Sequence, residues 1–163
     1  MESAISISNY FIKKSVEEEI PLTPMKLLKL AYIAHGWHLG LKDTALINEQ
    51  IVAWKYGPVI PDIYHTFKSY GNSPITELAT EYDFDNGFKE ITPLPSESEN
   101  EFLNNVWDFY KRYSAIELSY LTHQEDTPWD IVWNKNGGKN KSNAPISDVL
   151  IQKHYKEKIA SNN

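Results

Sequence analysis

Residues 23–41, TPMKLLKLAYIAHGWHLGL, decide the fold. Thr23 supplies a side-chain oxygen for the first free backbone N–H groups, and Pro24 fits the first helical position, where a missing N–H loses nothing. Leu27, Leu30, Ala31, Ala34, Trp37, His38 and Leu41 then fall on one face, with Leu28, Tyr32, His35 and Leu39 in a column beside it. The only charges in the stretch are Lys26 and Lys29, both in the first two turns. A helix apolar on most sides has neighbours packed around it, so the spacing predicts a central, buried core helix. Gly40-Leu41-Lys42-Asp43 reads as its stop and turn.

Upstream, Ile7, Tyr10, Phe11 and Lys14 keep helical spacing over residues 5–19, with Ser6 or Ser8 as the cap. The run Glu17 to Glu19 opposes the helix dipole there, so that end should fray or gain a cationic partner. Ile20-Pro21-Leu22 is an extended connector. Downstream, residues 46–56, LINEQIVAWKY, are rich in β-formers and predict a short strand or hairpin arm ended by Gly57-Pro58. Pro61 opens the next helix, which runs through Ile63, Tyr64, Phe67 and Tyr70 to Gly71 at its C-terminal cap.

Residues 72–95 lose the pattern. They read as a variable loop with a turn at Asp85-Asn86-Gly87 and room for short strands at Ile75–Leu78 and Phe88–Thr92. Ser96 with Glu99, and Ser114 with Glu117, have capping-box spacing before two further helices. Thr127-Pro128 repeats the Thr-Pro start for a short helix through Trp129, Val132 and Trp133, closed by Asn136-Gly137-Gly138. Ser147 caps a last helix, with Ile146 and Ile151 in staple positions. The expectation is one domain over residues 1–163, mainly α, with about six helices around the central one and a minor strand or hairpin component.

Composition narrows the chemistry. With 163 residues the chain can bury roughly 70% of its unfolded surface without a staple, and it has no cysteine. Disulfides, thiolate zinc sites and thiol nucleophiles are therefore excluded. No segment has signal-peptide layout or the length of apolar run that spans a bilayer, so the expected location is the cytoplasm, with no membrane partner. The net charge of −6 argues against nucleic acid, which wants a basic stripe. The lysine-bearing NKNGGKNK at residues 134–141 reads as a solvated turn. An acidic protein suits encounter with a basic protein partner.

No residue set announces catalysis. There is no GxSxG elbow and no phosphate-cradling glycine loop. His35 and His38 share one helix side, and His123, Glu117 or Asp126 could complete a zinc set. The spacing, however, lacks the i, i+4 histidine pair with an intervening glutamate, and both histidines read better as core residues with one hydrogen-bond partner each. The five Trp and ten Tyr are a heavy load. Trp37 and Trp107 lie on helical stripes and belong to the core. Trp54, Tyr56, Tyr64, Trp129 and Trp133 lie near turns or helix starts, where aromatics anchor protein-binding patches.

Three stretches together carry a resemblance. KLLKLAYIAHGWHLGL (26–41) is followed by INEQIVAWKYGPVIPDIYHTFKSYG (47–71), then by VWDFYKRYSAIELSYLTHQEDTPWDIVW (106–133), with QKHYKEKI as a tail. In order and content they resemble the Panacea-domain proteins, SocA-like antitoxins of prophages and other mobile elements. The likeness covers Ile7 to Tyr155 apart from the loop at 72–95, and AWKYGPVIP and SYLTHQEDTPW are its most specific parts. It implies a mostly helical domain that neutralises a protein toxin encoded nearby by binding it directly, without catalysis or cofactor. Trp37, His38, Trp54, Tyr56, Gly57, Pro58, Val59, Pro61, His123, Pro128 and Trp129 occupy the recurrent motif. Two rivals stand beside this reading. One is an adaptor or regulator of a mobile element that delivers its partner to a cellular protease or binds DNA. The other is a metal-dependent hydrolase built on His35, His38 and His123.

Overall fold

The central helix organises the computed structural model, which describes residues 1–82, 84, 85, 89–91 and 93–162. Helix α2 (Pro24–Lys42) starts as expected: the Thr23 side chain accepts from the Lys26 N–H, and Pro24 occupies the first turn. Around it pack α1 (Ala4–Glu17), α3 (Pro61–Phe67), α4 (Glu97–Tyr110), α5 (Ala115–Thr122) and α7 (Asp148–Ser161). The chain thus forms seven α-helices among the described residues, mainly α with a minor β part.

Helix α2 does not stop at Gly40. It continues to Lys42, and Asp43 closes it in the left-handed region at φ 58°. The glycines serve the packing instead. A Cβ on Gly36 would lie 2.1 Å from Cε2 of Tyr155 in α7, and one on Gly40 would lie 2.9 Å from the Tyr155 Cβ. The two glycines open a seat on α2 into which the α7 ring fits. Leu41, by contrast, leaves the expected buried face and is 58% exposed.

Helix ends show which local signals survive packing. Ser3, not Ser6 or Ser8, caps α1 by accepting from the Ser6 N–H. The acidic C-terminus of α1 gains its cation: Lys111 Nζ sits 2.8 Å from Glu18 Oε2 and 2.7 Å from Asp108 Oδ1. Ser114 and Glu117 close both halves of their capping box on α5. Neither half of the expected box forms on α4: the Ser96 hydroxyl meets Ser98 Oγ at 3.0 Å, and the Glu99 carboxylate is drawn away to His38 and Lys42. Thr127 accepts from the Asp130 N–H to open α6 (Pro128–Asp130), which runs on into a π-helical turn, Ile131–Lys135. Ser147 caps α7, and Ile146 and Ile151 are both buried.

Strands β1 (Ile51–Trp54) and β2 (Gly57–Val59) form the expected hairpin, although Gly57-Pro58 begins the second arm rather than ending the first. Residues 144–146 form β5, an antiparallel edge strand pairing Ile51 with Ile146 and Val52 with Pro145. Proline is tolerated at such an edge. Strands β3 (Thr80–Tyr82) and β4 (Lys89–Ile91) pair with each other. The strand expected at Ile75–Leu78 does not form; Ile75 is buried and its N–H goes to the Leu22 carbonyl. Ala79 exchanges hydrogen bonds with the Asn9 amide, so this part of the loop is tied to α1. Of the turn and strand expected at Asp85–Gly87 and Phe88–Thr92, residues Asn86, Gly87, Phe88 and Thr92 lie outside the described residues.

Candidate functional site

The histidines come first, because they carried the metal alternative. The Ile47 N–H donates to His35 Nδ1 at 3.2 Å, so the proton sits on Nε2, which donates to Asp148 Oδ1 at 3.0 Å. His38 donates from Nδ1 to the Thr44 carbonyl, while its Nε2 lies 3.1 Å from Glu99 Oε2. Each ring has two partners rather than one, and these bonds tie α2 to α4, to α7 and to the connector after α2. His123 lies elsewhere, edge-on to Trp129 with Nδ1 3.4 Å from Ser119 Oγ. The structure does not bring His35, His38 and His123 together, and among the described residues no three His, Asp or Glu side chains converge as a metal site. Burial disfavours charge on Glu99, but Lys42 and His38 outweigh it and hold the carboxyl below its usual range.

The aromatic candidates are brought together by the hairpin. Gly57 stands at φ +117°, a conformation that L side chains rarely adopt, and a Cβ there would meet the Lys29 amine at 2.6 Å. Lys55 and Tyr56 form the tip, and Tyr56 is 66% exposed. Trp129 is buried beneath, its indole N–H donating to the Trp54 carbonyl at 2.6 Å. Ser119 Oγ donates to the Tyr56 carbonyl. Trp54 itself is half-buried, bonded to Asn143 Oδ1 at 2.8 Å and edge-on to Tyr64 at 4.9 Å.

Trp54, Tyr56 and Tyr64 thereby wall a cleft of about 310 Å³, completed by Met25, Leu28, Lys29, Val59 and Lys68 among others. Of the five expected anchors, these three share one accessible surface. Trp129 is the pin under it, and half-buried Trp133 stacks on Trp129 at 5.9 Å without lining the cleft. Of the other motif positions, Val59 lines the cleft, Pro61 and Pro128 start helices, and Trp37 donates to the Tyr110 hydroxyl at 2.9 Å.

Lys29 was legible only as a charge on an apolar helix. It is 2% exposed, with Nζ 3.1 Å from the Pro58 carbonyl, and burial brings its amine down to about 7. Lys26 is buried too and donates to the Lys111 carbonyl. The sequence reading also missed a second apolar surface, around Phe109 (67% exposed), Leu41 and Trp37, between α4 and the end of α7. A helical wheel could have found it, since Phe109 falls off the stripe of Leu103, Val106, Trp107 and Tyr110.

Comparison with known proteins finds a family and a relative. Residues 27–130 match the family described as Antitoxin SocA-like, Panacea domain. The chain is 30% identical over 154 residues to Antitoxin SocA of Caulobacter vibrioides (strain NA1000 / CB15N), spanning 94% of this chain and 82% of that protein. No solved structure matches the chain. No helix among the described residues is long and apolar enough to cross a membrane.

Proposed function

The chain belongs to the antitoxin SocA-like, Panacea-domain family, and from that membership we propose that it neutralises a protein toxin encoded beside it by binding that toxin directly. The observation that carries the reading is the cleft walled by Trp54, Tyr56 and Tyr64, an aromatic surface held open by a braced hairpin. Rigid aromatics that keep accessible faces lose little entropy on binding and are typical interface anchors. The brace matters as much as the rings. Trp129, Ser119 and Asn143 hold the hairpin from three sides, so its tip meets a partner already ordered. The excess of acidic residues favours encounter with a basic partner from a distance. Binding leaves the partner folded but masked; cytoplasmic action and single-domain organisation are part of the same proposal.

The test is growth of cells expressing the neighbouring open reading frame, alone and with this chain, followed by co-purification. Relief of growth arrest together with a stable complex is expected. A harmless neighbour, or relief accompanied by loss of the toxin instead of a complex, would replace direct masking, in the second case with delivery to a protease.

A further inference from the structure

The aromatic cleft has a charge character opposite to that of the chain. The molecule carries a formal net charge of −6, yet the residues lining this cleft include Lys29 and Lys68 and no carboxylate. At the rim, Lys55 Nζ stands 5.4 Å over the Tyr56 ring. Lys29 lines the cleft as well; its amine, tucked under Gly57, donates to the Pro58 carbonyl and has no carboxylate partner among the described residues. A buried lysine without an anion is expensive to keep charged, and a bound anion would relieve that.

We propose that this cleft receives an acidic–apolar segment of the toxin, an aromatic or aliphatic side chain entering between Trp54, Tyr56 and Tyr64 while a neighbouring carboxylate pairs with Lys68 and Lys29. The identity of the partner rests on the antitoxin reading; the chemistry of the segment rests on the cleft. Apolar walls supply the burial, and the two amines favour carboxylate over amide, because an amide oxygen can accept from them but carries no charge to pair with theirs. The remote field of the chain attracts a basic partner while the cleft demands an acidic element within it, which makes recognition narrower than net charge alone.

Pairing with an anion raises the affinity of Lys29 for its proton, so binding takes up a proton near neutral pH and weakens as pH rises above about 7. The titratable groups on the elements around Lys29 are Lys26, Tyr32, His35, His38 and Lys42 on its own helix, Lys55 and Tyr56 on the hairpin, Asp62, Tyr64 and His65 on α3 with Lys68 after it, and Glu117 and Tyr120 on α5 with His123 at its end. None of them accounts for the low Lys29 value, which has burial as its cause.

The experiment pans a phage-displayed random peptide library against the whole chain and against Lys68→Glu. The best peptide is then titrated into lysine-labelled protein while the Lys29 side-chain NMR signal is followed. Expected are peptides that pair an aromatic or aliphatic residue with Asp or Glu, binding about tenfold or more weaker to Lys68→Glu, and a Lys29 titration that moves to higher pH when peptide binds. Uncharged or basic consensus peptides, no enrichment at all, or an unmoved Lys29 signal would each overturn the proposal. Growth rescue by the unaltered chain is scored separately, so failure of the cleft inference and failure of the antitoxin reading give different results.

Discussion

Replacing Gly36 by Ala should destabilise this protein, although the same change in an ordinary helix interior stabilises it by about 1 kcal/mol. The built Cβ would lie 2.1 Å from Tyr155 Cε2, 2.4 Å from Cζ and 2.6 Å from Cδ2. Carbon atoms pack at roughly 3.5–4.0 Å, so the ring must retreat by more than an ångström. It has little room, being 5% exposed and held edge-on to Trp37 at 5.0 Å. Losing the packing of a buried aromatic ring costs about 3–5 kcal/mol, and the helix-propensity gain offsets about 1, leaving a net loss of about 2–4 kcal/mol. Urea denaturation at constant m reads this directly as a lower midpoint.

The decisive comparison is the double variant. In a Tyr155→Ala background the clash is gone, so adding Gly36→Ala should be neutral or raise stability by up to about 1 kcal/mol. A Gly36→Ala single variant as stable as the parent would mean that α7 does not seat on α2 as described. Equal penalties in both backgrounds would place the strain within α2 itself.

Lys29→Met should remove a pH dependence of stability. The Lys29 amine titrates near 7 in the folded chain and at its ordinary 10.5 when unfolded, so between these values the unfolded state binds more protons and stability rises with pH. The gain from pH 7 to pH 9 should be about 2 kcal/mol in the parent; a parent curve flat across that range would refute it, and Lys29→Met should lack that component. Ser114→Ala should lose about 1 kcal/mol of stability with its capping box, whereas Ser96→Ala should stay within about 0.5 kcal/mol because that hydroxyl caps nothing; thermal melts of both variants side by side settle it. Tyr56→Ala should leave the melting temperature unchanged while weakening co-purification of the toxin by about 2 kcal/mol or more, and an unaltered complex removes Tyr56 from the interface.

Much of the secondary structure was legible because its signals are local. Thr23-Pro24, Ser114 with Glu117, Thr127-Pro128 and Ser147 start helices through hydrogen bonds and steric limits that reach only three or four residues. The all-round apolar character of residues 27–39 required neighbours on every side, whichever they were. The three glutamates at the end of α1 called for either fraying or a cation, and nothing nearby in sequence named Lys111 as that cation. The hairpin was legible from its β-formers, and Trp54, Tyr56 and Tyr64 from their position beside turns.

What only the tertiary structure decided depends on residues far apart in the chain. Gly40 looked like a stop until Tyr155, at the other end, needed its missing side chain. Ser96 and Glu99 have the spacing of a capping box, but His38 and Lys42 on α2 compete successfully for that carboxylate. Residues 144–146 become a strand only because β1 offers them an edge. Lys29 is the clearest case: its sequence position says charge on a helix, and only the hairpin laid over it at Gly57-Pro58 makes it a buried amine beside a cleft. Local sequence determines which backbone hydrogen bonds can close; which side chains are desolvated, and so which carry function, is set by what packs against them.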